Sequence, residues 1–232
     1  MVADRKVSEK LREKGAHLDH EGRYEDALEY FDEAIRADPG NGEVYQSKGI
    51  TLSKMGRLEE ALENFVKATD LDPNDPEKWL GRGCALLDLD RPELAQDSVE
   101  KALEVDPEYS YGWTNLGVVL ISLDRVYEAR VCLKEGLRLN PDDVVAWINL
   151  GNLYGMDGDD DNALESFERA IGIAKAKHPG FNSPWIGKGA ILDSMGRCTE
   201  ALSCYEEALA IDSEDALARQ RRDELLKTMS GP

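Results

Sequence analysis

Asp157, Asp159, Asp161 and Glu168 stand at the ligand spacing of a calcium-binding loop, with Leu164 in its apolar slot. Carboxylates so spaced can wrap a hard cation with oxygen. The sharp turn of such a loop wants glycine where this chain has Asn162. His17 and His20 flank Asp19, but no third well-placed ligand accompanies them, and a structural metal site usually needs four. The cysteines Cys84, Cys132, Cys198 and Cys204 form no CxxC pair. No glycine-rich phosphate loop, nucleophile elbow or convergent acid–base pair is visible. The chain therefore reads as non-catalytic, with no metal and no cofactor. What remains is amide and apolar chemistry. Asn115 and Asn149 stand 34 residues apart, and Asn152 lies one helical turn from Asn149. An amide carries donor and acceptor together, so it can pair with the backbone of an extended peptide.

The same interval governs the elements that carry these residues. Proline recurs at Pro39, Pro73, Pro107 and Pro141, every 34 residues. Glycine falls at Gly15, Gly49, Gly83, Gly117 and Gly151, then at Gly189 after 38. Alanine follows the same count at Ala27, Ala61, Ala95, Ala129, Ala163 and Ala201. A large apolar slot holds Phe31, Phe65, Val99, Leu133, Phe167 and Tyr205, and a small one holds Ala34, Ala68, Ala102, Gly136, Ala170 and Ala208. Tryptophan precedes four of the glycines by four residues, at Trp79, Trp113, Trp147 and Trp185; Leu11 and Tyr45 take that slot in the first two copies. A fixed period of this size marks one supersecondary unit copied along the chain. Such units cannot bury a core alone; they stack and offer an extended concave surface.

Each copy reads as two helices joined by a turn at Gly22, Gly56, Asp90, Asp124, Gly158 or Gly196. Pro76, Pro92 and Pro184 suit first helical positions. Asp38–Pro39, Asp72–Pro73, Asp106–Pro107 and Asn140–Pro141 end second helices. The calcium-like string overlaps Ala163 and Phe167 of the repeat pattern, so it is expected to be helical from about Asp161, and a helix cannot wrap an ion as that loop does. Mid-helix glycine costs about 1 kcal/mol against alanine. That loss makes sense where a missing side chain lets two helices approach, with Gly83 expected to face Ala95.

The pattern resembles the tetratricopeptide repeat family, W-x2-L-G-x2-Y, then A-x3-F, then A, then P. The fifth copy carries Trp147, Leu150, Gly151, Tyr154, Ala163, Phe167 and Ala170. The resemblance implies an all-α, right-handed superhelical α-solenoid of six helix-turn-helix repeats at 8–41, 42–75, 76–109, 110–143, 144–181 and 182–215, forming one domain. An N-terminal extension, 1–7, precedes them, and a capping helix and tail, 216–232, follow. The fifth copy is four residues longer, through 174–179, about one helical turn. A longer second helix and a displaced sixth repeat are expected there.

In that family the first helix of each repeat lines a concave groove, which implies a scaffold for a partner peptide or helix. Carried onto this chain, the groove holds Arg12, Glu13, Gln46 and Ser47 first. Leu80, Gly81, Cys84 and Leu87 follow, then Tyr111, Thr114, Asn115, Val118 and Ile121. Ile148, Asn149, Asn152 and Met156 come next, and Ile186 and Ala190 last. The peptide-binding residues expected are Leu80, Cys84, Tyr111, Thr114, Asn115, Val118, Ile148, Asn149, Asn152 and Ile186. The paired asparagines look like two rungs of the asparagine ladder in O-linked N-acetylglucosamine transferases. Chaperone-binding members hold a terminal carboxylate with Lys, Asn and Arg. Here those slots are Arg12, Ala16, Ser47, Glu77 and Gly81, so no such clamp is expected.

A net charge of −19 argues against nucleic acid and against anionic membrane surfaces. The stretch Met1–Val7 is polar, and no run approaches the roughly 20 apolar residues of a membrane span. Reduced thiols and the lack of a leader pattern point to a cytoplasmic protein. Arg219, Arg221 and Arg222 keep the last helix polar, which favours a monomer. The alternative is a scaffold that self-associates through its terminal repeats or this helix.

Overall fold

Asp75 and Asp143 each open a helix by turning a carboxylate back onto the backbone. Asp75 Oδ1 accepts from Glu77 N at 2.9 Å, and Asp143 Oδ1 accepts from Val145 N at 2.9 Å and Ala146 N at 3.1 Å. These bonds satisfy N–H groups that a first turn leaves without partners. The computed structural model describes residues 2–230, and among them are thirteen α-helices and no strand. They are α1 (Val2–His20), α2 (Tyr24–Ala37), α3 (Gly42–Lys54), α4 (Leu58–Leu71), α5 (Pro76–Asp88), α6 (Pro92–Val105) and α7 (Ser110–Ser122). Then come α8 (Val126–Leu139), α9 (Val144–Met156), α10 (Asp160–Lys177), α11 (Ser183–Ser194), α12 (Cys198–Ile211) and α13 (Ala216–Ser230). α1 begins at Val2, so residues 2–7 continue the first helix rather than preceding it. The chain groups into two compact units, Met1–Arg125 and Val126–Pro232.

In the first unit the turns inside the repeats pass through the left-handed region at Gly22, Gly56, Asp90 and Asp124. Glycine adopts it freely, whereas aspartate does so at a cost. Gly15, Gly49 and Gly83 each face the large apolar slot sixteen residues on. A Cβ on Gly15 would lie 2.6 Å from the Phe31 ring, and one on Gly49 would lie 3.0 Å from the Phe65 ring. Gly83 departs from expectation: a Cβ there would lie 2.6 Å from the Val99 Cγ2 methyl, and Ala95 would come near it only with its carbonyl oxygen, at 3.4 Å. The reason is steric. Val99 fills the slot that holds phenylalanine in the copies before it, and its branched methyl reaches the glycine first.

Tryptophan and proline are coupled physically. Trp79 Nε1 donates to the Pro73 carbonyl at 2.8 Å, and Trp113 Nε1 to the Pro107 carbonyl at 2.8 Å. Proline stops the second helix. The indole then anchors the freed carbonyl. Polar bonds also stitch neighbouring copies: Asn41 Nδ2 donates to Ser8 Oγ at 3.1 Å, and Thr51 Oγ1 to Asp19 Oδ1 at 2.8 Å. Ala27, Phe31, Val44, Leu52, Phe65 and Ala85 form one continuous core.

The second unit repeats these devices. Trp147 Nε1 donates to the Pro141 carbonyl at 2.9 Å, and a Cβ on Gly151 would lie 3.0 Å from the Phe167 ring. α10 spans 18 residues where the other second helices span 14. The added turn is not idle: Ala174 is fully buried against Trp185, Ala208 and Ala218. α13 seats Ala218 and Leu225 on the last repeat, with Leu225 in a core with Leu192, Ala201 and Tyr205.

Candidate binding groove

In the first unit, α3, α5 and the start of α7 enclose an open cavity of about 450 Å³. Its surface is mainly apolar: Ile50 from α3, Phe65 from α4, Leu80 and Gly81 from α5, and Tyr111 from α7, with Tyr109 just before α7. Gly81 is required there, because a Cβ would lie 2.6 Å from the Phe65 ring. The Phe65 ring thus sits between Gly49 of its own repeat and Gly81 of the next. Tyr109 and Tyr111 meet edge to face, with centroids 6.1 Å apart. Burial, with the nearby Glu77 carboxylate, pushes the Tyr109 phenol up to about 12.

Cys84 lies in the same wall, and its thiol donates to Asn115 Oδ1 at 3.5 Å. Burial and the Asp88 carboxylate push this thiol up to about 11. A thiol so protonated packs and donates weakly, and it is a slow nucleophile at neutral pH. Gln46 lies in the lining too, nearly buried at 6% exposure, and its Oε1 has no hydrogen-bond partner among the described residues. Glu77 and Asp88 supply carboxylates, while the cation in the lining, Lys54, pairs with Asp19.

Of the residues expected to bind a partner, Tyr111 is 54% exposed, whereas Leu80 at 9% and Thr114 at 2% are buried. Leu80 still forms part of the cavity wall; Thr114 is not in its lining. Val118 is half-buried. Asn115 is half-buried and bonded twice: Nδ2 donates to the Tyr111 carbonyl at 2.8 Å, and Oδ1 accepts from Cys84. In the second unit Ile148, Asn149 and Ile186 are half-buried and Asn152 is exposed. Asn149 Nδ2 donates to the Val145 carbonyl at 2.9 Å. Each of the paired amides is therefore turned back on its own helix with one N–H engaged.

Ile50 and Tyr109 join Gln46 and the other expected groove residues in the cavity. Ile50 holds the slot that Cys84 holds one copy later, a signal readable from the period. Tyr109 stands where Asp75 and Asp143 cap the helices of other copies, and only the aromatic side chain marks it as different.

The acidic clusters have internal uses. Glu43, Asp72 and Asp75 converge closely enough to hold an ion, but the Lys78 ammonium already sits among them. In the calcium-like string, Asp157 pairs with Arg130 and Glu168 with Lys188, while Asp159 caps α10, its Oδ1 accepting from Asn162 N at 3.4 Å and its Oδ2 from Asn162 Nδ2 at 2.7 Å. Arg12, the cation in the clamp slots, is paired with Glu9. Among the described residues no helix is long and apolar enough to cross a membrane.

Family models described as tetratricopeptide repeat match residues 20–82, 80–131, 132–165 and 183–215. No curated protein matches the chain in sequence. Among solved structures it is similar to a chain of the APC/C hetero-tetramer Cut9-Hcn1, with a TM-score of 0.83 and 17% identity, over 95% of this chain and 43% of that one. It is similar to PilW, a widely conserved type IV pilus biogenesis factor, with a TM-score of 0.80 and 19% identity, over 95% and 99% of the two chains. The pilF protein of Pseudomonas aeruginosa aligns with a TM-score of 0.77 and 16% identity, over 96% and 99%. At these identities the likeness is one of fold.

Proposed function

The chain belongs to the tetratricopeptide repeat family, and from that premise we propose that it is a non-catalytic scaffold holding an extended segment or short helix of a partner protein on the first helices of its repeats. In the first unit Leu80, Cys84, Tyr111, Asn115 and Val118 contact the partner, with Thr114 supporting them from beneath. In the second unit the contacts are Ile148, Asn149, Asn152 and Ile186. The observation that carries this reading is the cavity on α3, α5 and α7, which leaves Ile50 and Tyr111 exposed beside a core that is already filled. Exposed apolar groups gathered in a concavity mark binding surfaces. The acidic charge opposes nucleic acid and anionic lipid as the occupant. Four free thiols fit a reducing, cytoplasmic setting.

The test is affinity capture on the immobilised chain, analysed by mass spectrometry, with the Asn115→Ala/Asn149→Ala variant as control. Partners lost on the variant support the groove; an unchanged set counts against it. A second reading, self-association through α13, rests on the exposure of Leu217, Leu226 and Met229. Light scattering across a concentration range separates the two, because a constant monomer mass excludes the second.

A further inference from the structure

Gln46 Oε1 is a buried acceptor without a donor among the described residues, and it belongs to the lining of the cavity on α3, α5 and α7. Native structures pair almost all such atoms, and an exception needs a reason. A reason is available if the missing donor arrives with a ligand. The charges around the cavity say what kind. Glu77 stands at the start of α5 and Asp88 at its end, both exposed, and neither has a cationic partner among the described residues. The cation in the lining, Lys54, is held by Asp19. The trough therefore offers an apolar centre, an unmet acceptor beside it, and a carboxylate towards each end of α5.

Resting on the reading that the first helices hold a partner segment, we propose that this cavity takes a basic peptide. An apolar side chain seats between Ile50 and Tyr111, a peptide N–H donates to Gln46 Oε1, and flanking Lys or Arg side chains pair with Glu77 and Asp88. The volume, about 450 Å³, suits one or two side chains rather than a folded surface. Phosphate-bearing ligands are excluded, because Glu77 and Asp88 would repel them and the cavity offers no unpaired cation to offset that.

The probe is an array of random-sequence dodecapeptides sorted by net charge, with the best binders remade for solution work. Cys84 shares the wall, so its alkylation by iodoacetamide reports occupancy of this cavity and no other. The expected result is that binders are basic with an apolar residue between the cations, and that they slow Cys84 alkylation. Gln46→Leu is expected to weaken them about tenfold, and Glu77→Gln/Asp88→Asn to weaken them while flattening their salt dependence. Gln46→Glu keeps the acceptor, adds a negative charge and is expected to bind the basic peptides severalfold more tightly than the parent, an unchanged affinity counting against this seat. This variant keeps the test decisive if the leucine variant fails to fold. Neutral or acidic binders that protect Cys84 would overturn the basic occupant and leave the groove standing. Basic binders that leave Cys84 unprotected, or that ignore both Gln46 variants, would overturn this cavity as their seat. An array without binders would overturn this proposal, while the capture experiment with the Asn115→Ala/Asn149→Ala variant decides the groove reading separately.

Discussion

Lys78 Nζ lies 2.6 Å from Glu43 Oε1, joining the first helix of one repeat to the first helix of the next. Asp75 pairs with the same ammonium, and Asp72 Oδ2 lies 3.5 Å away. The Lys78 side chain is 1% exposed, whereas its carboxylate partners reach solvent. The ion cluster also spans the turn between the two repeats, since Asp72 and Asp75 flank it.

Lys78→Met is expected to destabilise the chain by about 1–3 kcal/mol, since three carboxylates lose their counterion. Glu43→Gln should cost less, because two partners remain. Burial pulls the lysine down, but the bonds to Asp75 and Glu43 outweigh it and hold it above the ordinary 10.5. A raised base stabilises the fold fully below its unfolded value and stops doing so as pH rises through the folded one. Urea melts at pH 8 and pH 11 check this: the gap between parent and Lys78→Met should narrow at the higher pH.

Gly83→Ala is expected to lose about 1–2 kcal/mol, because the new methyl would meet Val99 Cγ2 at 2.6 Å. The loss outweighs the gain of about 1 kcal/mol in helix propensity. Adding Val99→Ala should recover part of the loss, which a thermal double-mutant cycle measures. Purely additive losses would show that the two groups do not meet.

The period marks where two helices approach closely, but not which group meets the glycine: Ala95 is expected opposite Gly83, and the large apolar slot takes that place instead. Gly151 meets Phe167, and Gly189 meets Tyr205, at a fixed separation inside one helix pair. The open side of the first helices was less legible. Gln46, Leu80 and Thr114 share one slot and are buried, while Ile148 and Ile186 in that slot are half-buried. What decides burial there is the packing of the next repeat, not the residue itself. Gly81 shows the same point: it was read as a groove residue, and its size is set from behind by the Phe65 ring.

Asp90 carries a φ of +57°, in a turn where Gly56 carries +74°. Asp90→Gly is expected to stabilise by up to about 1 kcal/mol, the left-handed strain being relieved and partly offset by the greater freedom of glycine when unfolded. Gly56→Ala should lose about 1 kcal/mol for the converse reason. Opposite shifts of the melting temperature check the pair.

Cys84 should alkylate slowly at neutral pH, with a rate that keeps climbing beyond pH 9 and reaches its midpoint at about 11. The measurement uses a variant with Cys132, Cys198 and Cys204 replaced by alanine. Asp88→Asn removes the carboxylate beside the thiol and should move the inflection down. A profile centred on the ordinary thiol value would mean that the wall of the cavity is open to water.

Tyr205 is fully buried, packed on Gly189 and on Leu225 of α13, yet its hydroxyl has no partner among the described residues. Burial, with the Asp193 carboxylate adding to it, pushes the phenol up to about 12. The fold therefore prefers the protonated ring. Its contribution is complete below the ordinary value of 10 and is lost as pH rises through about 12, because the unfolded chain ionises first. Tyr205→Phe keeps the ring against Gly189 and deletes the unmatched hydroxyl, so it should stabilise by about 1 kcal/mol at pH 7. Above pH 10 the advantage should widen, since phenylalanine cannot ionise. Denaturant melts of both chains at pH 7, 10 and 11.5 decide it. A loss of stability on substitution would mean that the hydroxyl has a donor or acceptor in solution.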